Sequence, residues 1–404
     1  MSAQELIVVG SGFAGMWAAL VAARENAIAD GSVHITVVTP EPCLTVRPRL
    51  YEPFTPEMQA PLGEQFETLG IAVHQGSATG IDAGQRALQV LNAGGSTTVL
   101  HYDRLVLAAG SVQRPLDVPG ADPHAFDIDT FAGAARLHAH LETLDRLAYD
   151  DPARNGFVII GAGFTGVEMA LEVRRRLRAL GQSAAADQAR IVLVERSNSV
   201  GPELGDLPRP HIEQALHDAR VELRLGAEVS AIHSAGVELR DGERIAAATV
   251  VATTGLQAHA LTSALGVPTG ADGRLPVDAQ LRVLGAPGLY AAGDLAAAHV
   301  DATHLALMSC QHAVPMGKCA GYNAARDLLG LPPRAYSQPD YVTCLDLGDY
   351  GALFTTGWER RPEQVGADVK PLKQTINTQW IYPPGGDRST LLTAADIDAP
   401  WPPT

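Results

Sequence analysis

One pattern constrains this chain more than any other, and it occurs twice. The apolar run Leu6–Val9 leads into Gly10, Ser11, Gly12, Phe13, Ala14 and Gly15, a G-x-G-x-x-G turn. The run Phe157–Ile160 leads into Gly161, Ala162, Gly163, Phe164, Thr165 and Gly166, the same turn again. A helical stretch follows each copy. In such a unit the first glycine permits the tight strand-to-helix turn. The second lets the backbone approach a pyrophosphate, and the third lets the helix pack on the strand. The helix N-terminus then offers free N–H groups and a positive dipole end to the phosphates. A single copy is weak evidence. Two copies, each after a strand and opening a helix, point to two dinucleotides held against each other, the layout that passes a hydride between them.

The duplication extends beyond the turns. Tyr102–Gly110 is an apolar strand ending in the small residues Ala108, Ala109 and Gly110, and Thr249–Gly255 ends alike in Thr253, Thr254 and Gly255. A third such strand, Leu289–Ala292, ends in Gly293 and Asp294, before a helix over about Ser309–Leu329. The expected fold class is α/β, with two Rossmann-like dinucleotide-binding domains and a small C-terminal α+β region. The expected division is 1–113 and 271–330 for the first domain, 114–270 for the second and 331–404 for the C-terminal region. Locally, the pattern predicts a helix over Thr130–Leu147, a loop over Gln182–Gln188, and strands at Leu345–Leu347, Ala352–Thr355 and Gln379–Tyr382.

The 404 residues exceed one ordinary core, and 46% hydrophobic with 19% charged fits a well-packed α/β protein. A net charge of −15 argues against nucleic-acid binding and leaves membrane contact at most peripheral. No basic-then-apolar leader and no long uninterrupted apolar run is visible, so a cytoplasmic setting is expected. The cysteines Cys43, Cys310, Cys319 and Cys344 form no short-spaced pair.

The residue ending the second strand of each unit discriminates between cofactors, because an acid there accepts hydrogen bonds from ribose hydroxyls. In the second unit it is Glu195, which favours NADH over NADPH. Arg196 and Arg174–Arg176 keep NADPH open. In the first unit the matching position is Thr39, with Glu41 close by.

These motifs together resemble the two-dinucleotide-binding flavoproteins that include the pyridine nucleotide-disulfide oxidoreductases, over about residues 5–330. The resemblance implies FAD at the first fingerprint and NADH at the second. It makes Gly293 and Asp294 the second FAD motif, with the Asp294 carboxylate on the ribityl chain, and it places Ala109, Gly110 and Gly255 at strand-to-loop junctions beside the cofactors. Within that superfamily the chain is most similar to type II NADH dehydrogenases (NADH:quinone oxidoreductases). Gly163–Glu168 resembles their G-x-T-G-V-E, whose glutamate reaches the nicotinamide–flavin contact. Leu44–Tyr51, with Arg47 and Pro48, resembles their flavin-contacting loop. Cys310–Ala313, with Gln311, resembles the start of their quinone-site A-Q-x-A-x-Q. The implied activity is hydride transfer from NADH to FAD, then electron transfer to a small-molecule acceptor such as a quinone, in a homodimer with no metal.

Three departures stand out. Pro315 replaces the second glutamine of that motif, Thr39 replaces the usual acid, and amphipathic anchoring helices are not evident at the C-terminus. The acceptor therefore stays open between a quinone, a small redox protein and a biosynthetic intermediate. A third alternative is an NADH-responsive flavoprotein like apoptosis-inducing factor. Glu168 and Gln311 are the candidate catalytic residues. His312 is either a ligand-facing or a satisfied helical histidine, and the cysteines are expected to be inert thiols. Trp380–Pro384 lies at the acceptor face or in the core.

Overall fold

A computed structural model describes residues 4–400; the termini assigned above to the first and last regions, 1–3 and 401–404, lie outside the described residues. Two sheets carry the two fingerprints. The first has seven strands in the order Leu289–Ala291, Arg104–Leu107, Gln4–Val9, Val33–Thr39, Ala72–Asp82, Ala87–Asn92, Thr97–His101. Its first five strands are parallel, and the last two are added antiparallel at one edge. The late strand Leu289–Ala291 pairs with Arg104–Leu107, so the chain returns to the first sheet after building the second. The second sheet is all parallel: Ala125–Asp127, Thr249–Ala252, Gly156–Ile160, Arg190–Glu195, Val221–Leu225.

The central strands bury the apolar runs Leu6–Val9, Phe157–Ile160 and Ile191–Val194, as parallel strands covered on both faces must. The helix Phe13–Ile28 covers the first sheet, and twelve of its sixteen residues are buried. The helix Cys310–Leu328 lies against it so closely that a Cβ on Gly317 would meet the Ala14 carbonyl oxygen at 2.2 Å, and one on Gly321 the Ala18 oxygen at 2.1 Å. In the second half the helix Phe164–Ala179 packs beside Gly156–Ile160 and Arg190–Glu195.

The strands that cross between the halves pair with each other. Ser111–Gln113 and Leu256–Ala258 form an antiparallel ribbon, in the register Ser111 to Ala258. Each follows one of the glycines that end the repeated strands, Gly110 and Gly255, both at positive φ. The C-terminal region is a three-stranded antiparallel sheet, Val342–Asp346, Ala352–Thr356 and Arg361–Gly366, followed by short helices.

Three local expectations are corrected. Gln182–Gln188 is not a loop, because Ser183–Gln188 is helical with Ala186 buried, as befits an alanine run. Gln379–Tyr382 is not a strand. Lys370–Thr375 is an α-helix that widens into a π-turn over Ile376–Trp380, placing Lys373 and Asn377 on one buried face. The predicted helix Thr130–Leu147 ends at Leu141, with a separate 3₁₀ turn at Leu144–Arg146.

Candidate functional site

Both fingerprints fold alike. Gly10 and Gly161 sit at φ +102° and +101°, a left-handed region open to glycine. A Cβ on Gly10 would lie 2.5 Å from the Ala108 carbonyl oxygen, and one on Gly161 2.4 Å from that of Thr253. The repeated strands thus end in small residues because they run beneath the glycine turns. A Cβ on Gly15 would meet the Gly10 oxygen at 2.0 Å, and one on Gly166 the Gly161 oxygen at 1.8 Å. Neither helix has a side-chain N-cap or an acid in its first turn, so its leading N–H groups remain available to an anion. Gly12 faces open space, with nothing within 4 Å of its would-be Cβ. This is the cradle a bound diphosphate requires.

The second strands end differently. Glu195 is buried, and its carboxylate accepts from the Ala162 N–H at 2.8 Å and from the Ser197 N–H at 2.8 Å. At the matching place Thr39 Oγ1 pairs with Ser11 Oγ at 2.9 Å and donates to the Glu41 carbonyl. A hydroxyl pair there closes the turn that a carboxylate closes in the second half.

Around the first cradle, Arg47 bridges Asp294 at 3.3 Å, Asp129 and Ser111, and Ser111 Oγ donates to Asp294 at 2.6 Å. Burial raises the Asp294 pKa, while Arg47 and Ser111 act to hold the charge. Burial opposes the Arg47 charge, yet Asp129 and Asp294 outweigh it and the pKa rises. Pro48 shares the 3₁₀ turn Arg47–Arg49 with Arg47. Ala109 and Gly110 end the neighbouring strand, and Gly293 opens the turn that carries Asp294, with Ala14 against it.

In the second half, Glu168 is buried and paired to Lys373 Nζ at 2.9 Å, and its Oε1 also accepts from the Asp346 N–H. Burial, only partly offset by Lys373, raises the Glu168 pKa to about 7. Burial works against the Lys373 charge, but Glu168 outweighs it and raises the pKa. Tyr51 donates to Asp346 Oδ2 at 3.0 Å, and Lys370 bridges Asp346. A cleft of about 290 Å³, lined by Arg49, Glu52, Asp346, Lys370, Lys373 and Gln374 among others, reaches the lysine of this pair. None of Lys373, Asp346, Ser111 or Asp129 carries a sequence motif. Each comes from a segment remote from the residue it supports, so no local signal announces them.

Gln311 is held from two sides. Oriented so that its nitrogen donates to the Val342 carbonyl at 2.8 Å, its oxygen accepts from the Val342 N–H at 3.2 Å. Pro315 has no N–H for the Gln311 carbonyl, and Gln338 Nε2 donates to that carbonyl instead at 3.0 Å. His312 is 0% exposed, with Nδ1 3.0 Å from Ser309 Oγ, Nε2 without a partner, and its ring stacked towards Tyr341. Burial lowers its pKa to about 4, so it is neutral at pH 7. All four thiols are free. Burial pushes Cys310 and Cys344 up to about 11 and Cys319 to about 12, and burial with Glu41 raises Cys43, so none is an activated thiolate. Tyr382 donates to the Glu57 carbonyl and accepts from Arg49, and Ile381 is buried. Among the described residues no helix is long and apolar enough to cross a membrane, and no metal-binding cluster of acids, histidines and cysteines occurs.

Comparison with known proteins agrees with this geometry. The sequence pattern of the pyridine nucleotide-disulphide oxidoreductase family matches residues 4–317. The chain is 46% identical over 395 residues to an NADH dehydrogenase-like protein of Mycobacterium tuberculosis, covering 96% of this chain and 97% of the relative. It is 24% identical over 400 residues to a type II NADH:quinone oxidoreductase of Staphylococcus aureus, covering 95% and 96%. Its fold matches the solved structure of NDH2 from Plasmodium falciparum in complex with NADH, with a TM-score of 0.78 at 13% identity, over 98% of both chains.

Proposed function

The chain belongs to the pyridine nucleotide-disulphide oxidoreductase family and is an NADH dehydrogenase-like oxidoreductase, and from that premise we propose that it oxidises NADH through a bound FAD and reduces a quinone. The observation that carries this reading is the pair of uncapped helix N-termini, each opening from a glycine turn that leaves its N–H groups to an anion. FAD, when bound, supplies the two-electron chemistry between donor and acceptor.

The residues divide the work. Gly10, Gly12, Phe13, Ala14 and Gly15 cradle the FAD diphosphate. Asp294, set in place by Arg47 and Ser111, accepts from its sugar-alcohol chain. Thr39, Pro48, Ala109, Gly110, Gly293 and Gln311 shape the same pocket. Gly161, Gly163, Phe164, Thr165 and Gly166 cradle NADH, with Gly255 closing that side. Glu195, anchored by two backbone N–H groups, meets the ribose hydroxyls. Its buried negative charge repels a 2′-phosphate, which favours NADH over NADPH.

Glu168 orients the nicotinamide and holds a proton. Oxidation of NADH delivers a hydride, and reduction of a quinone to a hydroquinone takes two electrons and two protons. One proton beyond the hydride therefore comes from solvent. A carboxyl with a pKa of about 7, paired with Lys373, which lines the cleft, suits that transfer.

The test is anaerobic addition of NADH to FAD-loaded protein. The oxidised-flavin absorption bleaches, NADPH acts more slowly, and a soluble quinone restores the colour. A flavin that neither nucleotide reduces ends the reading.

A further inference from the structure

The two glycine cradles differ in what stands before them. Gly12 faces open space, whereas a Cβ on Gly163 would lie 2.6 Å from Glu203 Oε1. Glu203 is on a 3₁₀ turn, Pro202–Leu204, set between Gly201 and Gly205, both at positive φ. That turn is held by the tip of the C-terminal hairpin. Arg360 Nη1 donates to the Glu203 carbonyl, and its Nη2 reaches the Tyr341 hydroxyl at 3.4 Å. Arg360 itself has φ +50°, a conformation an L-residue keeps only where its surroundings over-determine it. The surroundings here are the Tyr341 ring, 5.6 Å beneath the guanidinium, and Trp358, stacked on Tyr341 at 4.6 Å. A rigid aromatic tip thus anchors the backbone of a residue whose own side chain is exposed.

We propose that Glu203 is a displaceable gate on the NADH diphosphate position, its carboxylate competing with the diphosphate for the space before Gly163. This rests on the reading of the second fingerprint as the NADH site. The carboxylate and the diphosphate carry the same charge, so entry of the nucleotide requires the side chain to swing away. The anchored backbone lets it return, which weakens binding and speeds release of NAD⁺. The first cradle has no such gate, as suits a cofactor that stays bound.

The test is calorimetric titration of FAD-loaded protein with ADP-ribose, which carries the diphosphate but no nicotinamide. Glu203→Gln removes the charge and keeps the bulk, and is expected to tighten binding about threefold, a gain that shrinks at high salt. Glu203→Ala removes both and is expected to tighten it further. Variants that bind no more tightly than the parent overturn the gate while leaving the nucleotide site intact. A parent protein that binds no ADP-ribose, with its flavin in place, overturns the nucleotide assignment itself and the gate with it.

Discussion

The two fingerprint units have φ values of +102° and +101° at their first glycines, yet their helices live in different surroundings. The first helix, Phe13–Ile28, is mostly apolar, with one buried carboxylate, Glu25, paired to Arg24 and Arg326 near its end, and it is pressed between a sheet and the helix Cys310–Leu328. The second, Phe164–Ala179, carries Glu168, Glu172 and Arg176 as buried charges and meets the C-terminal region through ions. The glycine turn sets how a dinucleotide approaches. The packing behind it sets how firmly that turn is held and what charge stands nearby. In the proposed function the first unit is the permanent seat and the second the exchangeable one, and the buried ion pair nearest the fingerprint helix's start is Glu168–Lys373 in the second.

The sharpest way to break this comparison is to add the same methyl group to both turns. Gly15→Ala has no room to move, and a cost of about 3 kcal/mol or more, with loss of bound flavin, is expected in melting and flavin-content measurements. Gly166→Ala, whose Cβ would lie 1.8 Å from the Gly161 oxygen, is expected to cost as much stability, but with the ligand loss in ADP-ribose affinity, which falls by about tenfold or more, and not in flavin content. Equal loss of flavin from both variants would mean that the two turns do not serve different ligands.

The ionic character of the second unit is tested next. Lys373→Met leaves Glu168 buried without its cation, and the carboxyl is then expected to stay protonated to higher pH. The pH dependence of flavin reduction by NADH, followed by stopped flow, should move up by about one unit.

Glu172 is 0% exposed, with one oxygen unpartnered, and burial raises its pKa to about 8 even with Arg175 alongside. A raised carboxyl pKa gives stability that is complete below pH 4.5 and is lost as pH rises towards 8. Glu172→Gln should remove that loss, gaining roughly 2 kcal/mol on the parent between pH 5 and pH 8 in denaturant titrations. The smallest effect concerns the hydroxyl pair of the first unit. Ser11→Ala should cost about 1 kcal/mol of stability, because Thr39 keeps its bond to the Glu41 carbonyl.

Much of the framework was legible because it is local. The glycines, the buried strands and Glu195 each sit at a fixed offset within a repeated unit, while Asp294 is implied by the resemblance that its strand-end motif carries. Reading by local chemistry failed where packing took over. The run Gln379–Tyr382 has aromatic and branched residues suited to a strand, but it follows a helix whose buried face carries Lys373 and Asn377, and it stays wound. Thr39 was visible as a missing acid, while its replacement by a bond to Ser11 was not, since the two hydroxyls are separated by a helix and a strand. Pro315 likewise read as a lost motif position. What it does is free the Gln311 carbonyl, which Gln338 then occupies.

By itself the sequence determined that this chain builds two dinucleotide units, since tight turns, close backbone approach and uncapped helix starts are properties of a few adjacent residues. It also placed the acid Glu195 at the end of the second strand of its unit. The tertiary structure decided what surrounds those units: Lys373 against Glu168, Arg47 and Ser111 on Asp294, and Arg360 behind Glu203. Those partners come from segments far apart along the chain. For Glu168 with Lys373 and Asp294 with Arg47, burial in the folded molecule makes the charges matter, because water would screen them in any extended form.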